Sequence, residues 1–401
     1  MTNVKARSET PHLFSATIAC LLMIVFLVAG RTFAIHLEKR TLRATAPRPF
    51  GLKNQGLAFQ RVAWQSKDVL PIYGSSEIRQ RFPENPSHFF KTAPTGFQVS
   101  GVGQAGTTSI IMLQKLAALA EDVRGKKVAI SLSPSWFFAP VVNPRYYEGN
   151  FSPEAASGMI FGGALDFDLT RDIAARILQC PSVPAVTPLL RIALERLASG
   201  SWFDRVIFWA LWPIGKAQNL VLDLQDHFES LAFIFQRVKS APRLHRETLD
   251  WPKLMARAAD DAAALAKTWR LPDPEDTPVG RTNDAAFLER IGQAHEWIDL
   301  ELLLRTLTEL HVRPLILSMP IPGEFWERCG ISRSARQVYY DKVREIAQRH
   351  DCLLADFADH DGDADFLMVP RNHLTPKGWM FYNRALDNFF HGRDSENLAA
   401  R

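Results

Sequence analysis

The stretch VLPIYGSSEIRQ, Val69 to Gln80, decides how the chain folds. An apolar run, Val69–Tyr73, reads as a buried strand. It ends in Gly74, two serines and Glu77, and a helical pattern follows. A tight strand-to-helix turn needs only the glycine, so the adjacent hydroxyls ask for another reason. A serine in this place stands at the carboxyl edge of a sheet, where open α/β sheets bind ligands. The start of a helix also offers free backbone N–H groups that can hold an oxyanion. The plainer reading is that Ser75 or Ser76 caps the helix. The chemical one is that a serine hydroxyl there attacks an acyl group once a base removes its proton.

Outward from this stretch, short apolar runs alternate with helical patterns. Strands are expected at Phe97–Val99, Lys127–Leu132 (KVAISL), Arg313–Ser318 (RPLILS) and Leu353–Phe357. Helices are expected around Thr107–Ala120, Asn283–Leu310 and Ser334–Arg349. A closing helix is expected over Thr375–Phe390, with Pro376 in its first turn. Strands separated by helices predict an α/β fold, a parallel sheet flanked by helices on both faces. The α/β domain is read as residues 61–395, with a mostly helical insertion from about residue 153 to 282 that holds no strong strand. Within SGVGQAGTTS, Gly101, Gly103 and Gly106 fit G-x-G-x-x-G. The dinucleotide fingerprint also wants an acidic residue at the end of the next strand, and here Ser131–Ser133 stand there. What remains for these glycines is a tight turn, or a close backbone approach with an N–H aimed at a reacting oxygen.

The N-terminus carries its own signal. Leu13–Ala29 (LFSATIACLLMIVFLVA) has no charge and is close to the ~20 residues that cross a bilayer. Lys5 and Arg7 precede it and no small-residue cleavage site follows it directly, so an uncleaved transmembrane signal anchor is favoured over a cleaved signal. Residues 1–30 are read as a cytoplasmic tip and span, and 31–60, with Pro47, Pro49, Gly51 and Gly56, as a stalk or linker. Arg31, Lys39, Arg40 and Arg43 follow the span, so the positive-inside rule leaves orientation open. The formal charge of +4 over 401 residues, mixed in sign, gives no nucleic-acid stripe. Cys20, Cys180, Cys329 and Cys352 form no CxxC pair; only Cys329 and Cys352 are candidates to meet in the fold.

His373, in NHLTPKGWMFYN (Asn372–Asn383), stands in a loop just before the closing helix. It is the best candidate general base among the 11 histidines. Asp361, Asp363 and Asp365 imitate the start of a calcium loop but lack its glycine and terminal glutamate, so a solvated acidic loop is expected and no metal. SWFDRVIFWALW, residues 201–212, brings together Trp202, Phe203, Phe208, Trp209 and Trp212. It reads either as a helix packed on the core or as a face that rests on a membrane or docks a membrane partner.

Four blocks together resemble the SGNH-type hydrolase superfamily and, more specifically, the DltD family of D-alanyl-lipoteichoic acid biosynthesis proteins. They are GSSE (Gly74–Glu77), GVGQAG (Gly101–Gly106), SPSWF (Ser133–Phe137) and HLTPKGW (His373–Trp379). MPIPGEFWERCGISRSARQVYYDKV (Met319–Val343), ADF (Ala355–Phe357) and the N-terminal anchor look like that family too. The resemblance covers about residues 60–390 and is weak in the insertion. It implies a single-pass, extracytoplasmic serine acyltransferase or esterase engaged in D-alanylation, or other O-acylation, of a cell-envelope glycan or teichoic-acid-like polymer. By position it makes Ser76 the nucleophile, with Ser75 as its turn neighbour, Gly103 the oxyanion glycine and His373 the base. Ser135 falls where the family often has a glutamine, which leaves its role open. Where the superfamily places an aspartate shortly before the histidine, this chain has Pro370; the alternatives left open are Asp363 or Asp365 reaching back, with Asn372 beside the ring, a backbone carbonyl that orients it, or a dyad without a third member. The implied partners are a membrane-bound O-acyltransferase, a D-alanyl or other acyl donor and an envelope polysaccharide acceptor; no cofactor is called for. A non-catalytic scaffold that binds an acyl carrier or the membrane acyltransferase, and a plain O-acyl esterase, remain as alternatives.

Overall fold

The computed structural model describes residues 10–141, 143–180, 187–277, 279–368 and 373–393. Five parallel strands form the central sheet: β1 (Val69–Tyr73), β2 (Gln98–Val102), β3 (Lys127–Leu132), β4 (Arg313–Ser318) and β5 (Leu353–Asp356). Their order is β2-β1-β3-β4-β5. The chain therefore leaves β1 to one side and returns to its other side. The carboxyl ends of β1 and β3 mark the switch point where such sheets open a crevice. Tyr73 lies in register with Val102 on one side and Ile130 on the other. Proline is unusual in a central strand because it donates nothing to a ladder. Pairing of β1 with β3 starts at Ile72, just past Pro71, so the missing N–H falls outside that ladder.

Both faces of the sheet are covered, as near-continuous apolar strands require. On one face Val102, Ile130, Leu116, Leu303 and Tyr339 belong to the larger core. On the other, Ile72, Leu315, Leu317, Trp379 and Tyr382 pack together, so the closing helix (Pro376–His391) lies directly against the sheet.

Several elements depart from the expectations. The second strand runs further, to Val102. The pattern over Asn283–Leu310 divides into Asp284–Gln293 and Glu296–Glu309, where Trp297 turns back to donate to the Ile291 carbonyl. After Ser76 there is only a one-turn 3-10 helix, Ser76–Arg79. Pro83 and Pro86 follow closely, and a residue before proline disfavours helix. Where a stalk was expected over 31–60, the anchor helix runs unbroken from Thr10 to Thr45. Two short helices follow, Gly51–Gln55 and Ala58–Gln65, with most of their side chains inward. All four cysteines are free. Asp361 is not in a solvated loop: it is buried and paired with Arg336.

The insertion is helical: Pro153–Gly162, Phe167–Leu178, Pro188–Ser199, Trp202–Arg237 and Trp251–Ala266. Its 36-residue helix, Trp202–Arg237, holds the aromatic segment. Phe208 is buried beside Phe161, as the core-packed reading of that segment expects, Trp212 is half-buried, and Trp202, Phe203 and Trp209 are exposed.

The anchor helix is clasped to this long helix beyond Arg31. Arg31 Nε bonds Asp223 at 2.7 Å, and buried Glu38 accepts from Ser230 Oγ and faces His227 Nδ1 at 2.8 Å. Lys53 Nζ donates to the Ala46 carbonyl at 2.9 Å, at the end of the anchor helix; burial pushes its pKa down to about 7. His12–Thr45 is long and apolar enough to cross a membrane, which makes this helix a candidate anchor.

Arg336 is a buried polar centre of the body, with bonds to both oxygens of Asp361, to Glu327 and to the Ile331 carbonyl, while Tyr340 also donates to Asp361. Removing one member of a buried pair leaves an uncompensated charge. Arg336→Met is expected to lower unfolding stability by about 3–5 kcal/mol in chemical denaturation. A loss under about 1 kcal/mol would mean that the pair contributes no more than a surface ion pair.

Candidate active site

Ser76 follows β1 directly, at the carboxyl edge of the sheet. Its Oγ lies 2.9 Å from His373 Nε2, a pair separated by 297 positions in the chain. Both side chains are partly accessible. Ser75 is buried, and its hydroxyl donates a long 3.4 Å bond to the Gln104 carbonyl. The structure thus separates the two hydroxyls: Ser75 faces the glycine turn and Ser76 faces the imidazole. Neither side chain caps the 3-10 turn.

Glu77 is the residue beneath. Its carboxylate is buried and accepts from the Ser75 N–H at 2.8 Å. Burial pushes the Glu77 pKa up, and that backbone bond opposes the shift. Asn85 braces the same loop by donating to the Glu77 carbonyl at 3.3 Å while its Oδ1 accepts from the Ser87 N–H.

Gly103 stands opposite, at the end of β2. A Cβ there would fall on the Gly74 carbonyl oxygen, far inside contact distance, and 3.1 Å from that of Ser75. The glycine is thus a requirement of two backbones in contact. The N–H groups of Ser76 and Gly103 have no acceptor among the described residues. The rest of the glycine turn is held from the helix Pro144–Asn150, just ahead of the insertion: Thr107 Oγ1 bonds Asn150 Oδ1 at 2.7 Å, and Asn150 Nδ2 donates to the Ala105 carbonyl. Gly106 adopts φ +85°, and a side chain there would meet Tyr146. Asn150, far along the chain, carries no sequence signal; only the fold brings it here.

His373 arrives on a two-stranded antiparallel ribbon, β6 (Leu367–Met368) and β7 (His373–Leu374), where Met368 pairs with His373. Thr375 caps the closing helix, accepting from the Gly378 N–H and donating to the Asp365 carbonyl at 2.6 Å. That helix is pinned to the serine loop: Trp379 Nε1 donates to Gln80 Oε1 at 2.9 Å, and Asn383 Nδ2 to the Glu84 carbonyl at 2.7 Å. Base and serine are therefore positioned by one shared contact surface.

Asp363 and Asp365 are engaged with Lys377, at 2.9 and 2.8 Å, and Asp363 also with His360 Nδ1 at 2.8 Å. Burial alone would raise the Asp363 pKa; the bonds from His360 and Lys377 outweigh it and hold the carboxyl below its ordinary value. Lys377 is shifted upward in return, its two carboxylates outweighing its own desolvation. Ser135 sits past β3 in the one-turn helix Pro134–Phe137, partly accessible. Asn372 and Pro370 lie outside the described residues. Among the described residues no cluster of His, Cys, Asp and Glu is arranged to hold a metal. A cavity of about 480 Å³ opens nearby between Trp269, Arg270, Phe325, Arg328 and Leu367, but neither Ser76 nor His373 lines it.

Two measurements check this geometry. Gly103→Ala overpacks two backbones and is expected to lower stability by about 1–3 kcal/mol; an unchanged melting curve would show that the turn yields freely. A carboxyl depressed in the folded state contributes stability above its unfolded pKa of about 3.9 and loses it as pH falls through the folded value. Wild type should therefore lose more stability than Asp363→Asn as pH drops below about 4. Equal losses would contradict the Asp363–Lys377–His360 contacts.

The chain is similar to known proteins over most of its length. The family profile described as DltD protein matches residues 51–391. Protein DltD of Bacillus subtilis is 24% identical over 349 residues, covering 84% of this chain and 86% of that protein. Protein DltD of Staphylococcus aureus is 22% identical, with 84% and 85% covered. Protein DltD of Lacticaseibacillus rhamnosus is 22% identical, with 96% and 90% covered. The match spans the sheet, the insertion and both halves of the Ser76–His373 pair, and the chain belongs to the DltD family, whose proteins take part in the D-alanylation of teichoic acids.

Proposed function

We propose that the chain is a membrane-anchored serine O-acyltransferase of SGNH type whose α/β domain works outside the cytoplasm. It would pass a D-alanyl group, or another small acyl group, to a hydroxyl of an envelope glycan or teichoic-acid-like polymer. The observation that carries this reading is the 2.9 Å contact of Ser76 Oγ with His373 Nε2 at the carboxyl edge of the sheet. A serine needs such a base to become a nucleophile.

In this reading Ser76 Oγ attacks the carbonyl carbon of the activated acyl group as His373 Nε2 takes its proton. The negative oxygen of the tetrahedral intermediate is met by the N–H groups of Ser76 and Gly103, which have no other acceptor among the described residues. Collapse releases the donor's leaving group, protonated by His373, and leaves an ester on Ser76. The acceptor hydroxyl then gives its proton to His373 and attacks that ester, and the proton returns to Ser76. Hydrolysis differs only in the acceptor, so exclusion of water separates transfer from the esterase reading.

Asp363 and Asp365 serve here as supports of the loop rather than as the third member, because Lys377 holds both. A membrane-bound O-acyltransferase is the natural partner, because an acyl group made ready in the cytoplasm must reach the outer face of the bilayer.

The test is turnover of a small activated alanyl or acetyl ester by the full chain in detergent, with intact mass followed in parallel. Ser76→Ala and His373→Ala should each lower turnover by about 10³-fold or more, and Ser75→Ala by only a few-fold. A wild type that neither turns over the ester nor gains the acyl mass would favour the scaffold reading instead.

A further inference from the structure

The long insertion helix and the anchor helix change character at the same level. On the anchor helix Leu13–Ala29 is uncharged and exposed, and charge begins at Arg31. On the Trp202–Arg237 helix the exposed side chains as far as Val221 are mostly apolar, Arg205 excepted, among them Trp202 at 77% exposure, Trp209 at 51%, Leu220 and Val221. From Gln225 onward the accessible positions are mostly polar, Phe235 excepted. The Arg31–Asp223 bond joins the two helices at that boundary.

Their direction is also fixed. Arg31 meets Asp223, Glu38 meets His227 and Ser230, and Arg48 reaches the Arg237 carbonyl, so the helices run the same way where they touch. Both uncharged faces therefore lie on the same side of the Arg31–Asp223 bond. The insertion face extends over about 30 Å at 1.5 Å per residue. Its charged groups each have a partner within the protein: Arg205 stacks on the Phe167 ring at 4.1 Å, Lys216 donates to the Gly162 carbonyl, and Asp204 is held by Arg196, Ser199 and Ser201. The opposite side of the helix is already occupied, with Phe208 and Gly215 packed on Phe161. An apolar face of this extent on a soluble protein is covered by something.

We propose that this face rests in the lipid of the bilayer that holds the anchor helix, a second, monotopic attachment that fixes how the domain sits on the membrane. The inference rests on the anchor reading above. Continuity with the anchor selects lipid as the occupant: the face begins where the anchor leaves the polar region, on the same side.

The test uses the full chain reconstituted into phosphatidylcholine–phosphatidylglycerol vesicles with brominated acyl chains, which quench tryptophan on contact. Wild-type emission should be quenched relative to unbrominated vesicles, and Trp202→Phe/Trp209→Phe, with unchanged circular dichroism, should lose most of that quenching. Phe26→Trp in the double variant reports the anchor separately. Quenching by that probe, with none by Trp202 and Trp209, would overturn the second attachment and leave the anchor standing. No quenching by any of the three would overturn both. Quenching by Trp202 and Trp209 that fades as protein is crowded in the vesicle would assign the face to a second copy and overturn the lipid contact.

Discussion

The candidate site depends on one constraint: the closing helix must dock on the loop that follows β1. Trp379 to Gln80 and Asn383 to the Glu84 carbonyl are the polar links of that docking, and Trp379 and Tyr382 are its apolar part, buried with Ile72 and Leu317. The serine comes from the first strand and the histidine from the last segment of the domain, so their contact forms only when the whole sheet has assembled. Such long-range closure is costly in chain entropy, and burial of two large aromatic side chains offsets it. The 3-10 turn at Ser76 is too short to stand by itself. It is held from below by Glu77, from the side by Asn85 and from across the sheet edge by Gly103.

A similar economy ties the anchor to the domain. The helix that leaves the apolar segment continues into the body and buries Glu38 against His227 and Ser230. A flexible stalk would let the domain wander; a clasped helix fixes its distance and tilt. Under the proposed function, with a membrane-borne acyl donor and a surface polymer to meet, fixed height reduces the search to rotation about the anchor. The long insertion helix acquires a purpose in this arrangement: it holds the anchor at one end and presents an apolar face at the other.

Much of the fold was legible because its signals are local. Five apolar runs separated by helical patterns gave the parallel sheet, and the five observed strands overlap them. Ser76 and His373 stood out because their surroundings are chemically odd: two hydroxyls on a turn and a histidine ahead of a closing helix. The misreadings have physical causes. Pro47, Pro49 and two glycines suggested a stalk, but tertiary contacts through Lys53 and Glu38 keep residues 31–60 folded. Asp361 looked solvated because its partner, Arg336, lies in another element, a helix earlier in the chain. The helix expected after Ser76 stopped within a turn, since Pro83 and Pro86 limit it. Asn150 and Lys377, which hold the glycine turn and the acidic loop, could be placed only by the fold.

The central claim is that Ser76 is a nucleophile made reactive by His373. Labelling the full chain with a fluorophosphonate and mapping the modified peptide tests it without knowledge of the acyl donor. The account predicts a single modification on Ser76 that disappears in His373→Ala while the fold is retained. Modification of Ser75, or equal labelling of wild type and His373→Ala, would contradict it.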